Sequence, residues 1–388
     1  MSSSESAPNQ ERSAWRRLAV LTAATVIVVT GAAVARAQSA PPEEVPATSG
    51  LDPAKELIVR RALALRGRVG ANVDPESDAT SFGFLWPKAE QEKDGVVVEL
   101  FRPGSDGDKP DRIVGMHSEG DGFYVAEVPQ NLDGWTYVYR RGGDEKPLFD
   151  YLGAEVRRPG EAGPATQMRV VDFSRIKTPP PLPRRDRDRI AEINPVTVSE
   201  GGTIWDARTK LAKLRELGFN VVEVMPPTLH QGDLSRPKDY PGPNGPRPGY
   251  EVRGWGYDIE AMAMNEGWEI LAGFVREAHE QGIAVYFDLI WNHFAPGFPD
   301  DRIGNINGGN TPWGPRLKLD NPHLLAGAVV QVADRLIQIG ADGIRVDAAW
   351  GLDAFEDGMD EYTRIVFEAI SRVAKQALDE GRIARPST

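Results

Sequence analysis

Two hydrophobic patterns divide the chain. Between about residues 69 and 158, apolar residues come in short aromatic or β-branched runs: GVVVELFRP (95–103), GFYVAEVP (122–129) and GWTYVYRR (134–141). Gly- and Asp-rich turns separate them, a spacing that predicts antiparallel strands in a small β-sandwich over 69–157. From Ile190 onward the pattern changes. Strand-like runs at 190–198, 220–225, 283–290 and 343–346 alternate with stretches of helical spacing. Ile204, Ala207, Leu211, Leu214 and Leu217 keep that spacing up to Gly218, behind Thr203-Ile204-Trp205-Asp206, which resembles a capping box. A second helix covers 268–281 and stops at Gly282, a third opens at Asn321-Pro322 and ends at Gly340, and a fourth covers 361–380.

Four successive strand–helix units with apolar strands predict a parallel α/β architecture. The segments after the second and third strands, 226–267 and 291–320, are long and rich in Trp, Tyr, Pro and Gly. Long strand-to-helix loops build the active-site face of a (β/α)8 TIM barrel, which takes ~250 residues for eight units. The region 189–388 supplies four, so the expected fold is the first four βα units of such a barrel, preceded by the sandwich. A Pro- and Ala-rich tether and a short helix opened by Asp52-Pro53 fill 38–68. A linker with the Pro179–Pro183 cluster and a charged run fills 158–188.

The first 37 residues follow different rules. Arg16 and Arg17 precede an uncharged apolar stretch, 18–34, and Ala35-Arg36-Ala37 has the small-x-small form of a leader cleavage site. The expected product is secreted or periplasmic, without a membrane association once the leader is gone. The alternative is an uncleaved anchor, for which the stretch is near the lower length limit. The net charge of −12 and pI near 5.1 argue against nucleic acid and anionic membranes as partners, but not against a neutral substrate such as sugar. With no cysteine, disulfides and thiolate metal sites are excluded.

The candidate chemistry lies at two strand ends. In GADGIRVDAAW (340–350), Arg345 and Asp347 share one strand face while Ile344 and Val346 take the other. In YFDLIWNHF (286–294), Asp288, Ile290 and Asn292 alternate with Phe287, Leu289 and Trp291, and His293 follows at the mouth. Burying ions on a parallel strand costs several kcal/mol each unless they are paired, and charges at the C-terminal end of a barrel strand are more often functional than structural. The plainer alternative is an ion pair that closes the barrel. Trp86 and Trp135 are candidate sugar platforms in the sandwich, although sandwich core is the commoner role for such residues.

These segments carry a resemblance. IAVYFDLIWNH is similar to the first conserved region of the α-amylase family (glycoside hydrolase family 13), and GADGIRVDAAW to its second. ELGFNVVEVMPP (216–227) resembles the family's second strand. WGYD (255–258) resembles its substrate loop in the form seen in branching enzymes and trehalohydrolases. The resemblance implies an enzyme, a retaining glycosidase acting on α-1,4 or α-1,6 linkages of starch- or glycogen-like glucans; an α-glucan transglycosylase and a non-catalytic α-glucan-binding protein are the alternatives. It further implies Asp347 as nucleophile, with Arg345 holding its carboxylate ionised. Tyr257, Asp288, His293 and Trp255 would bind substrate. No cofactor is required, although Asn292 matches a position that ligates a structural calcium in many members. Trp291, Trp313 and Trp350 are further candidates for flat sugar contacts. The family's general acid, a Glu ending its fifth strand, has no counterpart here; Glu356, Glu361, Glu368 and Glu380 fall in the preceding loop and helix. The expectation is therefore an incomplete copy of a longer enzyme.

If the leader is cleaved as its pattern predicts, N-terminal sequencing of the exported protein begins at Gln38. A mature chain that still starts in the initiator region would contradict the leader.

Overall fold

Four mostly apolar strands keep their few charged residues on one face, so their sheet has two unlike faces. In the computed structural model these are β1 (Ile190–Ile193), β2 (Val221–Val224), β3 (Ala284–Leu289) and β4 (Gly343–Val346). They pair in parallel in that order, with Ile190 opposite Val221, Val221 opposite Ala284, and Tyr286 opposite Gly343. The model describes residues 26–27, 51–86, 95–105, 109–141, 147–148, 150–157, 167–180, 182, 187–195, 197–200, 203–230, 252–258, 267–293, 307–311, 314–347, 349 and 361–381. For 26–27, 156–157, 228–230, 252–258, 307–311, 314–316 and 361, the description is of the backbone.

On one face Val222, Val224, Val285, Phe287, Leu289, Ile344 and Val346 join the main hydrophobic core against the helices. On the other, Val221, Ala284 and Tyr286 form a separate small cluster with Ile190 and Leu182. The second face is apolar only at its base. Above it, on the same alternation, come Glu223, Asp288 and Arg345. A Cβ at Gly343 would lie 2.7 Å from the Tyr286 ring, so glycine there makes room for the tyrosine that roofs the apolar base.

The helices begin where their caps say they should. Thr203 caps a helical run over 204–216, its hydroxyl accepting from the Asp206 amide at 2.9 Å and donating to the Asp206 carboxylate at 2.7 Å. Helix α1 is that run, and α2 is Gly267–Glu280. Helix α3 spans 322–338, with Asn321 capping its start and a π-helical stretch at Ala326–Val330. Helix α4 is Glu361–Asp379. The first predicted strand is shorter than expected. It ends at Ile193 because Pro195 has no N–H for the ladder and the chain turns, with the Thr197 and Val198 amides both donating to the Asn194 carbonyl.

Two sheets face one another over 70–169, the larger one reaching into the expected linker, where Gln167–Arg169 is a strand paired antiparallel with both Thr136–Arg141 and Glu155–Arg157. The smaller orders its strands Gly70–Asp74, Ala79–Leu85, Phe123–Val128 and His117–Gly120. Phe82 and Phe84 from it meet Tyr137 and Tyr139 from the larger, with ring centroids 5.3 and 4.3 Å apart. Trp86 and Trp135 pack in this core, Trp86 only 7% exposed and Trp135 beneath the Arg102 guanidinium. The region after β2, expected as a loop, contributes two strands to the larger sheet. Thr228–His230 pairs antiparallel with Val252–Asp258, which pairs in parallel with Glu155–Arg157.

The two layers are held closely together. A Cβ at Gly327 in α3 would come within 2.8 Å of Leu152 and 2.9 Å of Val69, so only glycine lets the helix approach the sandwich this closely. Arg169 bridges Glu155 of the sandwich and Glu269 in the first turn of α2, each at 3.2 Å, while the Trp268 indole donates to the Ala154 carbonyl. The linker is tied down as well: His279 lies between the Pro180 carbonyl at 2.8 Å and the Asp342 carboxylate at 2.7 Å. The expected leader lies outside the described residues except for Val26–Ile27, which runs antiparallel along the free edge of β4. Among the described residues no helix is long and apolar enough to cross a membrane.

Asp150 is buried in the sandwich, accepting from the Tyr137 hydroxyl at 2.7 Å and the Leu152 amide at 3.0 Å. Burial pushes its carboxyl up to about 6, against the partial relief of those hydrogen bonds and Arg335. A carboxyl raised on folding adds stability below its unfolded value and loses it as pH rises through the folded one. Asp150→Asn should therefore raise stability at pH 7 relative to pH 4, by up to about 3 kcal/mol for a two-unit shift. Urea unfolding at the two pH values measures it; an unchanged difference would show that this carboxyl does not govern the acid response.

Candidate active site

The alternation that places valines against the helices also brings charged residues from three adjacent strands to one end of the opposite face. Asp288 of β3 stands opposite Arg345 of β4 in the register, and Asp347 follows at the end of β4. The Arg345 Nη1 atom donates to Asp288 Oδ2 and to Asp347 Oδ1, the latter at 2.7 Å. A third carboxylate, Glu223 of β2, lies with Oε1 3.9 Å from Arg345 Nε. The guanidinium's rigid, planar set of five donors suits it to several carboxylates at once.

Burial is graded within this cluster. Asp288 has no exposed surface, the Glu223 side chain is 10% exposed, and the Arg345 and Asp347 side chains 19% and 18%. Asp347 therefore presents its carboxylate to the open end, while Asp288 supports Arg345 from beneath. Burial raises the Glu223 carboxyl above its ordinary value against the attraction of Arg345, and the charges of Glu192 and Asp347 push it the same way.

Asn292 and His293 close the end of β3. The Asn292 amide donates to the Asp347 carbonyl at 2.9 Å, and its oxygen meets His293 Nδ1. The Asp347 amide in turn donates to the Leu289 carbonyl at 2.9 Å. The backbone on both sides of the nucleophile candidate is thus pinned to β3. The Asn292 oxygen, the expected calcium ligand, lies against His293 Nδ1. Among the described residues no group of three or more His, Asp or Glu side chains could hold a metal.

The remaining expected residues divide. Trp291 is fully buried, its indole donating to the Ala328 carbonyl at 2.8 Å, so it is core rather than a sugar platform. Trp255 and Tyr257 lie on the Val252–Asp258 strand, with Tyr257 opposite Glu155 and Thr228 in register. Trp313, Trp350 and Glu356 lie outside the described residues. Glu223 is the member that the sequence reading passed over. Its signal was present: a single acid in an otherwise aliphatic strand, VVEV, in the same position relative to its strand end as the charges of β3 and β4.

Comparison with known proteins finds α-glucan enzymes among the relatives of the chain, although no family model matches it. A malto-oligosyltrehalose trehalohydrolase of Arthrobacter ramosus is 29% identical over 213 residues, covering 51% of this chain and 32% of its own length. A 1,4-alpha-glucan branching enzyme of Rhodopseudomonas palustris is 25% identical over 264 residues, covering 60% of this chain and 34% of its own. The chain thus spans about a third of these curated relatives. Among solved structures, a Group B Streptococcus pullulanase in complex with maltotetraose superposes with a TM-score of 0.62 at 16% identity, covering 81% of this chain and 45% of that one. That match speaks for the fold. In its motifs, its relatives and its α/β fold, the chain is similar to the α-amylase family.

Proposed function

We propose that the chain acts on α-glucans by a retaining mechanism, as a glycosidase of the α-amylase type. The observation that carries this reading is Asp347, partly exposed at a strand end and held by the Arg345 that also pairs with a fully buried Asp288. Both curated relatives named above act on α-glucans or maltooligosaccharides by their names, and the solved pullulanase binds maltotetraose. In this reading Asp347 attacks the anomeric carbon and the bond to the leaving oxygen breaks, giving a glycosyl ester that water then opens. Arg345 keeps the attacking carboxylate ionised and aimed. His293 lines the sugar beside the scissile bond, and Tyr257 and Trp255 offer rings to it. Asp288 is placed to act through Arg345 and so is a support for the nucleophile in this account. Leaving-group protonation needs a second carboxyl group ~5–5.5 Å from the nucleophile. Of the nearby acids, Asp288 and Glu223 are both engaged with Arg345, so neither takes that role in the proposal.

The fold reading belongs here too: four βα units corresponding to the first half of a (β/α)8 barrel, behind a carbohydrate-binding-like sandwich. Transglycosylation uses the same residues and differs in the acceptor. Export to the periplasm or medium, a neutral glucan as partner, and no obligatory cofactor complete the proposal; calcium, if bound, would be structural.

A fluorinated maltosyl donor that accumulates the covalent intermediate tests the reading. Mass spectrometry of digested protein should find the sugar on Asp347, and Asp347→Asn should abolish labelling. A label on Asp288, or none on protein that binds maltotetraose, would overturn it.

A further inference from the structure

We infer that His279 is held as an imidazolium that straps the linker to the base of the parallel sheet, so that fastening of the linker depends on one bound proton. The strap lies at the start of β4, the opposite end from Asp347, and is independent of the proposed function.

The linker crosses that base at 178–180. The Thr178 hydroxyl donates to the Gln338 carbonyl at the end of α3 at 2.7 Å. Pro179 packs on Gly340, where a Cβ would collide with the proline ring, and the Pro180 carbonyl meets His279 Nδ1 at 2.8 Å. Further along, Leu182 joins the apolar base and Asp188 accepts from the Tyr286 hydroxyl.

His279 stands buried in the last turn of α2, and both of its ring nitrogens face oxygen. Nδ1 meets a carbonyl, which has no hydrogen to give. Nε2 meets Asp342 Oδ2 at 2.7 Å, which already accepts from the Val285 amide at 2.9 Å. A neutral imidazole has one N–H and one lone pair. Either neutral tautomer would press that lone pair against an acceptor and lose one bond at a buried site. With a proton on each nitrogen, both bonds form. Placing the extra proton on Asp342 would also complete the set, yet imidazole is the stronger base of the two.

The elements around the ring set its electrostatics. Asp342, in the turn before β4, supplies a buried negative charge at contact distance. The carbonyl end of α2 favours a cation as well. On α2 itself Glu280 is exposed, Glu277 pairs with Arg208, and Arg276 lies a turn earlier. Arg215 of α1 opposes the cation from the next turn, but it is exposed and donates to the Gly282 carbonyl at 2.8 Å. Among the described residues, β3 brings the Val285 amide, and the strap brings a carbonyl behind the exposed Lys177.

Raising the pH strips the ring of one proton, and one of its two contacts turns repulsive. The bond to the carboxylate is the charge-assisted one, so it persists and the contact to the Pro180 carbonyl is lost. Pro180 is exposed, so water takes over its carbonyl. The linker loosens while Asp342 stays bonded to β3.

The chain has five histidines, few enough for nitrogen-15 NMR to resolve their rings. His279 is assigned as the set lost in His279→Gln. At about pH 7.5, a unit above the ordinary histidine value of ~6.5, both of its ring nitrogens should carry protons. Asp342→Asn removes the facing negative charge, so there the ring should carry a single proton at that pH. Release of the linker is read by trypsin cleavage after Lys177, scaled to a small peptide substrate in the same tube. Scaled cleavage should climb with pH in the parent, by up to about tenfold per unit once the ring titrates, and stay flat in Asp342→Asn. A singly protonated ring in the parent overturns the inference, and so does a doubly protonated ring with scaled cleavage that ignores pH.

Discussion

One guanidinium organises the end of the parallel sheet. Arg345 meets acids from three strands, Glu223, Asp288 and Asp347, and each is buried to a different depth. An aspartate with no exposed surface is tolerable only when its charge is matched and hydrogen-bonded, because desolvation costs several kcal/mol per ion. Arg345 supplies that match, and the same contact aims Asp347. The stability of the buried carboxylate and the placement of Asp347 are thus coupled at one side chain. The coupling explains why a short strand carries a cation and an anion two residues apart.

The rest of the fold keeps that cluster in register. Beneath it, Tyr286 and Gly343 complement each other in shape over an apolar base, so the charges sit above an apolar layer. Behind it, the valines, Phe287 and Leu289 bind the sheet to its helices. The sandwich is fastened to α3 by the close approach at Gly327, and to α2 by Arg169 between Glu155 and Glu269. Because the larger sandwich sheet continues into the strand bearing Trp255 and Tyr257, the sandwich also carries the backbone of the expected substrate loop.

Much of this was legible from residue order. The caps at Asp52, Thr203 and Asn321, and the glycines at 218, 282, 340 and 381, mark helix ends by local chemistry that tertiary packing does not override. Asp288, Arg345 and Asp347 stood out because a charge among aliphatic residues at strand period is conspicuous. Glu223 obeys the same rule yet was passed over, since its meaning depends on the neighbouring strand's Arg345, a contact far apart in sequence. Trp291 shows the converse: its place near the mouth suggested a sugar contact, but strand alternation turns it to the helix face, where α3 accepts its N–H. The strand pairing of 252–258 also escaped, because a partner in another layer leaves no periodic trace in so Gly- and Pro-rich a segment.

The central claim, that Arg345 makes the buried Asp288 tolerable, is tested most directly by a double-mutant cycle. Unfolding free energies would be measured in urea for Arg345→Met, Asp288→Leu and the pair. If the account holds, Arg345→Met alone loses about 3–5 kcal/mol by stranding a buried carboxylate, and the double variant regains most of that loss. Losses that simply add would contradict it, since they would mean that Asp288 does not depend on Arg345.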